Sequence, residues 1–301
     1  MTDIEKKAEN EILRYRELLK SKGYQASSPQ KGNYCLESSI SGDSGTVKLL
    51  VYFGKKGLKT VLQGNKDSKI YTDINRLVFD ELPFEKEDFV PPAKYIGTDE
   101  SGKGDFFGPL VIAGVFVDEE IKRKLDDIGV RDSKKIAHLS IQKLADNIKK
   151  IAGYSSFNIV VINPARYNEL YAKFGNLNRL LAWGHAKVLE NILTNKEVPA
   201  AISDKFGDER LIQNSLQEKG KKLELYQFHK AEKYTAVAAA SILARDRFNH
   251  WFDTKKREMK IDLPKGAAGK VTETARKIKS EFGAELLEQL TKTHFKTYRT
   301  L

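Results

Sequence analysis

Thiols are almost absent from this chain of 301 residues. Cys35 is the only cysteine, which excludes an intrachain disulfide and a thiolate zinc site, and fits a reducing compartment. Long apolar runs are missing too. The stretch around Leu110–Val117 is among the longest and falls far short of the ~20 residues a bilayer span requires, so no membrane partner is expected. No apolar signal core follows Met1-Thr-Asp-Ile-Glu-Lys-Lys7, which argues against export and for a cytoplasmic location. Proline is scarce, and three of the eight prolines fall between Leu82 and Pro92. Interleaved with acids, that stretch sustains neither a helix nor a central strand and reads as a linker.

Apolar residues are plentiful enough for real cores, at 40 %, so wholesale disorder is excluded. The charge is the strongest compositional feature: 52 Lys and Arg against 41 Asp and Glu, net +11. A basic chain of this size suggests a polyanionic partner, nucleic acid first. The excess is uneven. Residues 1–92 hold 15 basic against 14 acidic residues, and residues 93–301 hold 37 against 27.

The sequence therefore divides into an N-terminal α+β domain (1–81), a linker (82–92) and a larger α/β domain (93–301). The first opens with an expected helix, Thr2 and Glu5 standing at capping-box spacing and Ile4, Ala8, Ile12, Tyr15 and Leu19 on one face. Strands are expected at Tyr34–Ile40, Val47–Phe53 and Leu58–Gln63, then a helix through Ile70, Ile74 and Leu77. Lys48, Lys55, Lys56, Lys59, Lys66 and Lys69 fall on or beside those strands, as a solvated face or a phosphate-contacting one. The second domain alternates strands (Tyr95–Asp99, Phe106–Val117, Asn158–Ile162, Val198–Ser203, Leu223–Phe228) with helices (Ile141–Ile151, Leu177–Leu193, Arg210–Glu218, Ala231–Arg257), which implies a central sheet. A mostly helical tail follows Arg245.

Gly97-Thr-Asp-Glu-Ser-Gly-Lys-Gly104 imitates a nucleotide-binding P-loop. Gly104 stands where a Ser or Thr should hold Mg2+, two carboxylates sit inside the loop, and the chain beyond reads as a strand instead of a helix N-terminus. Asp99 and Glu100 make better sense as metal ligands at the end of an apolar strand, where an uncompensated charge is costly. Asp204 repeats that situation after Val198–Ser203, and Glu232 opens the Ala-rich helix. Oxygen ligands without thiolates suit Mg2+ or Mn2+, and paired ions of that kind carry out in-line phosphodiester hydrolysis. Each acid alone reads more readily as a structural or solvated strand end or, for Glu232, as a charge satisfying a helix dipole.

Tyr95-Ile-Gly-Thr-Asp-Glu-Ser-Gly-Lys-Gly-Asp-Phe-Phe-Gly-Pro-Leu-Val111 resembles the first motif of the type 2 ribonuclease H superfamily, and its Gly-Lys-Gly form resembles ribonuclease HIII. Arg131-Asp-Ser-Lys-Lys135, Asn176–His185 and Ala238–Asp246 resemble further family segments. The resemblance implies a ribonuclease H-like catalytic domain, and a small N-terminal substrate-binding domain similar to the TATA-binding protein fold. It implies endonucleolytic cleavage of the RNA strand of RNA–DNA hybrids, dependent on Mg2+ or Mn2+, with 3′-hydroxyl and 5′-phosphate products. The catalytic, metal-holding acids it implies are Asp99, Glu100, Asp204 and Glu232, with Asp246 and Asp208 as alternatives for the last. Ser101 and the Gly102-Lys103-Gly104 turn would meet the RNA strand, Ser133 and Lys134 a phosphate, and Lys48 and Lys56 the substrate from the N-terminal domain. No obligate protein partner is indicated, and a monomer is expected. A catalytically silent nucleic-acid binder and a ribonuclease HII-like enzyme acting on single ribonucleotides are the competing readings. Tyr298 does not match the C-terminal tyrosine that helps ribonuclease HII sense an RNA–DNA junction. His185, Trp183 and Trp251 read as packed side chains, and Lys255–Arg257 as a solvated helix face.

Overall fold

A computed structural model describes residues 3–54, 57–80, 89–130, 138–207 and 210–301. Thr2, Lys55, Lys56, Ser133, Lys134, the rest of 131–135, Asp208 and most of the 82–92 linker lie outside the described residues. The chain forms two compact units, residues 1–89 and 90–301.

In the first unit α1 (Asp3–Ser21) buries Ala8, Ile12, Tyr15 and Leu19, the stripe its spacing dictates. It packs on an antiparallel sheet of β1 (Gln25–Ala26), β2 (Gln30–Gly32), β3 (Cys35–Gly42), β4 (Gly45–Gly54) and β5 (Gly57–Gln63). Side chains alternate across a strand. Val47 and Leu49 therefore join Ile40, Leu62 and the helix in one core, while Ser39, Lys48 and Gln63 line up in register and exposed on the opposite face. Helix α2 (Lys69–Asn75) adds Ile70 and Ile74 to that core and runs into a π-helical turn at Arg76–Asp80.

The second unit is built on a five-stranded sheet in the order β10-β9-β6-β7-β8, with β6 as Tyr95–Ser101, β7 as Leu110–Val117, β8 as Phe157–Ile162, β9 as Ala200–Asp204 and β10 as Glu224–Phe228. Pairing is parallel from β10 through β9 to β6 and antiparallel from β6 through β7 to β8. Every residue of β7 is buried, so this sheet is covered on both faces. Helix α6 (Leu177–Leu193) packs on β6 and β7, and so does α8 (Thr235–Met259). The remaining helices are α3 (Glu119–Asp127), α4 (His138–Ala152), α5 (Pro164–Phe174), α7 (Arg210–Ser215), α9 (Gly269–Leu290) and α10 (Lys296–Arg299). Gly97 and the alanines of α8 fit each other. A Cβ on Gly97 would stand 2.2 Å from the backbone nitrogen of Val237, so only glycine admits the helix this close to β6.

Several expected boundaries shift. β6 continues to Ser101, so Glu100 and Ser101 lie within the strand. Phe106 to Pro109 belong to a turn despite their apolar character, and β7 starts at Leu110. Glu232 does not open α8. It sits in a 3-10 turn (Ala231–Lys233) because Lys230 adopts a left-handed conformation, φ 57°, and the helix starts only at Thr235.

Candidate active site

The parallel pairing of Thr98 with Ser203 sets Asp99 and Asp204 abreast at the C-terminal ends of β6 and β9. This edge of an open α/β sheet is where loops leave the strands and ligands commonly bind. Asp99 and Glu100 are consecutive on β6, so they leave its two opposite faces. Asp99 turns toward α8, where Ser241 hydrogen-bonds it, and its Oδ1 also accepts from the Glu100 N–H at 2.8 Å. Glu100 turns toward α6. Its Oε2 lies 3.3 Å from Nε2 of His185 and its Oε1 3.6 Å from Nζ of Lys103. Asp204 Oδ1 accepts from the Ala231 N–H at 3.0 Å. That contact brings the turn carrying Glu232 to the same edge.

The four acids feel one another. Burial, then the charges of Glu100 and Asp204, push Asp99 up to about 7, against the ordinary carboxylate value. Burial also raises Asp204; the Ala231 N–H opposes the shift and the charges of Glu232 and Glu100 add to it. Burial pushes Glu100 the same way, but His185 and Lys103 outweigh it and hold this carboxyl below its ordinary value. A half-buried, oxygen-only set of mutually repelling carboxylates is the donor chemistry that hard divalent cations suit. Among the described residues no three His, Cys, Asp or Glu side chains are gathered closely enough to hold a metal ion. Asp99, Glu100 and Asp204 are each engaged by a local donor, and an ion would compete with those donors for the same oxygens.

Asp246 pairs with Nζ of Lys149 at 3.3 Å, and the acids whose charges raise Asp99 and Asp204 are Glu100, Asp204 and Glu232. His185 was the residue hardest to read from sequence. Fully buried on α6, it places Nδ1 2.9 Å from Thr98 Oγ1 and Nε2 at Glu100, and its ring stacks on Phe206 at 5.0 Å between centroids. It is packed and hydrogen-bonded, as its apolar helix face suggests, yet its partner is a site carboxylate. The only available signal was its place in the Asn176–His185 segment.

Beyond β6 the chain turns at Gly102, whose φ is 90° and whose Cβ, if present, would stand 2.2 Å from the Pro109 carbonyl oxygen. Glycine is required there on both counts. Lys103 extends from the turn over the Phe206 ring, 5.6 Å from its centroid, and Gly104 is exposed. Lys48 belongs to the other unit, where it pairs with Glu37 at 3.7 Å on the exposed sheet face.

The family model for ribonuclease HII matches residues 96–298. The chain is 38 % identical over 290 residues to a ribonuclease HIII of Chlamydia muridarum, covering 94 % of this chain and 91 % of that one. It is 44 % identical over 215 residues to a ribonuclease HIII of Protochlamydia amoebophila, covering 71 % and 69 %. Among solved structures it resembles Aquifex aeolicus RNase H3 (TM-score 0.57, 27 % identity, 95 % and 97 % covered). It shares its fold with Bst-RNase HIII in complex with Mn2+ (TM-score 0.62, 24 % identity, 95 % and 94 % covered). No helix among the described residues is long and apolar enough to cross a membrane. A mixed α/β domain that carries its acids at one sheet edge beside a glycine turn, with relatives of this closeness along nearly its whole length, belongs to the ribonuclease HII family on its ribonuclease HIII branch and is a ribonuclease H.

Proposed function

We propose that this chain cleaves the RNA strand of RNA–DNA hybrids endonucleolytically, by metal-dependent hydrolysis that leaves 3′-hydroxyl and 5′-phosphate ends. The observation that carries the reading is the gathering of Asp99, Glu100 and Asp204, with Glu232 beside Asp204, at the edge from which the glycine turn projects. Mg2+ or Mn2+, in a pair, would supply charge neutralisation at the phosphate and an activated water. The residues do the rest. Asp99, Asp204 and Glu232 would hold the ions, with Asp208 as the alternative to Glu232. Glu100 would hold an ion as well, its carboxylate oriented by His185. Ser101 and the Gly102-Lys103-Gly104 turn approach the ribose, whose 2′-hydroxyl distinguishes RNA from DNA, and Lys103 neutralises a phosphate. Ser133 and Lys134 add a phosphate contact.

The N-terminal unit is the substrate-binding domain in this reading. A helix-backed antiparallel sheet with Ser39, Lys48 and Gln63 on its open face suits contact with a nucleic-acid backbone, and Lys56 adds a second basic contact in this reading. The deciding experiment is an end-labelled RNA–DNA hybrid incubated with Mg2+, with Mn2+ or with chelator. Cleavage with either ion and none with chelator is expected. Intact RNA in all three would favour the silent binder, and strong incision at a single embedded ribonucleotide would favour ribonuclease HII-like specificity.

A further inference from the structure

The glycine turn is held by chain far away in sequence. Phe106 donates its N–H to the Gly266 carbonyl at 2.9 Å, and Asp105 Oδ1 accepts from the Gly266 N–H at 2.6 Å. Lys292 donates its N–H to the Phe106 carbonyl, Gly108 donates to the Leu290 carbonyl, and Phe107 pairs with Thr291 in an isolated bridge. These are mostly backbone contacts that many side chains would permit.

The Lys292 side chain is different. It is fully buried. Its Nζ donates to the Asp105 carbonyl at 2.8 Å and to the Gly108 carbonyl at 2.6 Å, across 187 and 184 positions of sequence, and lies 5.6 Å from the centre of the Tyr167 ring. Burying an ammonium is costly, and a methionine would fill the space without that cost. Burial pushes Lys292 down to about 7, with the Asp105 carboxylate pulling the other way. What the lysine adds is a pair of hydrogen bonds that ties the two ends of the 105–108 segment together. Gly108 is followed by Pro109, whose carbonyl is the atom against which Gly102 is packed. The clamp therefore reaches the glycine turn through a short run of direct contacts.

We propose that Lys292 is a positioning residue for substrate: by holding the carbonyls of Asp105 and Gly108 it fixes the Gly102–Gly104 turn in the shape that meets the RNA strand. The inference rests on the reading of that turn as the RNA-contacting element.

The test compares Lys292→Met and Lys292→Gln with the parent in the full chain, with Lys103→Ala as a separate probe of the turn. Two quantities are measured: amide hydrogen exchange across residues 102–108, and kcat and KM on an RNA–DNA hybrid in Mn2+. Lys292→Met should speed exchange in the turn and raise KM about tenfold while kcat stays within about twofold. Lys292→Gln, which keeps one donor, should fall between, and it decides on the same readouts if the methionine variant does not fold. A merely structural role would lower the active fraction and leave KM and local exchange as they are, and that result overturns the proposal. If Lys103→Ala raises KM and the Lys292 variants do not, the clamp fails while the turn's substrate role stands. If neither raises KM, the turn does not contact substrate and the proposal falls with it.

Discussion

The two units solve different physical problems with sheets of five strands each. In the first, one face packs on α1 and the other meets water, so Lys48 stands exposed and pairs with Glu37 in a setting where solvent screens both charges. In the second, both faces are covered, and acids at the ends of β6 and β9 sit where neighbouring charges and burial act strongly on them. Asp99, at about 7, is the extreme. A half-solvated sheet can present charge to a polyanion at little cost, but it cannot tune a carboxylate. A doubly covered sheet tunes its acids at the cost of burying them, a cost that binding divalent cations would offset. The net charge follows the same division. The basic excess lies in the unit that carries the acids, while the first unit is close to neutral.

The comparison breaks first at the acids. Asp99→Asn and Asp204→Asn should each lower cleavage by about 10³-fold or more, since in the proposed reading each would remove an ion-holding oxygen from the reacting centre. Hybrid affinity, measured by fluorescence anisotropy, should stay within about threefold. The same pair of measurements on Glu232→Gln and Asp208→Asn identifies the fourth acid by which loses cleavage.

Gly102→Ala comes next. A Cβ there meets the Pro109 carbonyl and the backbone holds a positive φ, so displacing the turn should cost on the order of 10²-fold in kcat/KM. His185→Asn should weaken Mn2+ binding by about tenfold in calorimetry, because the ring fixes the Glu100 carboxylate from behind. Unchanged Mn2+ affinity would show that His185 only fills space.

The buried lysine offers a pH test. With Lys292 at about 7 in the folded protein and about 10.4 in the unfolded chain, the unfolded chain binds the extra proton between those values. Stability therefore rises with pH across that window, and the full cost of the buried charge is present below it. Around it, His294 is held down to about 4, and burial raises Tyr167, so neither titrates in the window, and the Asp105 carboxylate is the charged group that faces it. The parent's urea midpoint should rise from roughly pH 7 to 9, and Lys292→Met should abolish that rise. The smallest effect belongs to the first unit's surface. Lys48→Ala should raise KM less than about threefold and lower the salt dependence of binding by about one counterion.

Much of this was legible in the sequence because the signals were local. The stripe on α1, the alternation through Val47 and Leu49, and three strand-end acids all follow from periodicity and from the cost of charge in apolar surroundings. Helix α3 was hidden because Leu125 is its only fully buried side chain in a nine-residue stretch whose other residues, Ile121 apart, are all charged. Phe106 and Phe107 imitated a strand because a turn buried under distant chain is as apolar as one. Glu232 was misplaced by a left-handed Lys230 that no pattern announces. The roles of His185 and Lys292 depend on partners 85 and 187 positions away, and only the assembled sheet brings those together.

The division of labour between the units is tested most directly by comparing residues 90–301 with the full chain on one RNA–DNA hybrid in Mn2+, measuring kcat and KM separately. The account predicts that the shorter chain keeps kcat within a fewfold and shows KM raised about tenfold or more. An unchanged KM, or a kcat lost along with residues 1–89, would contradict it.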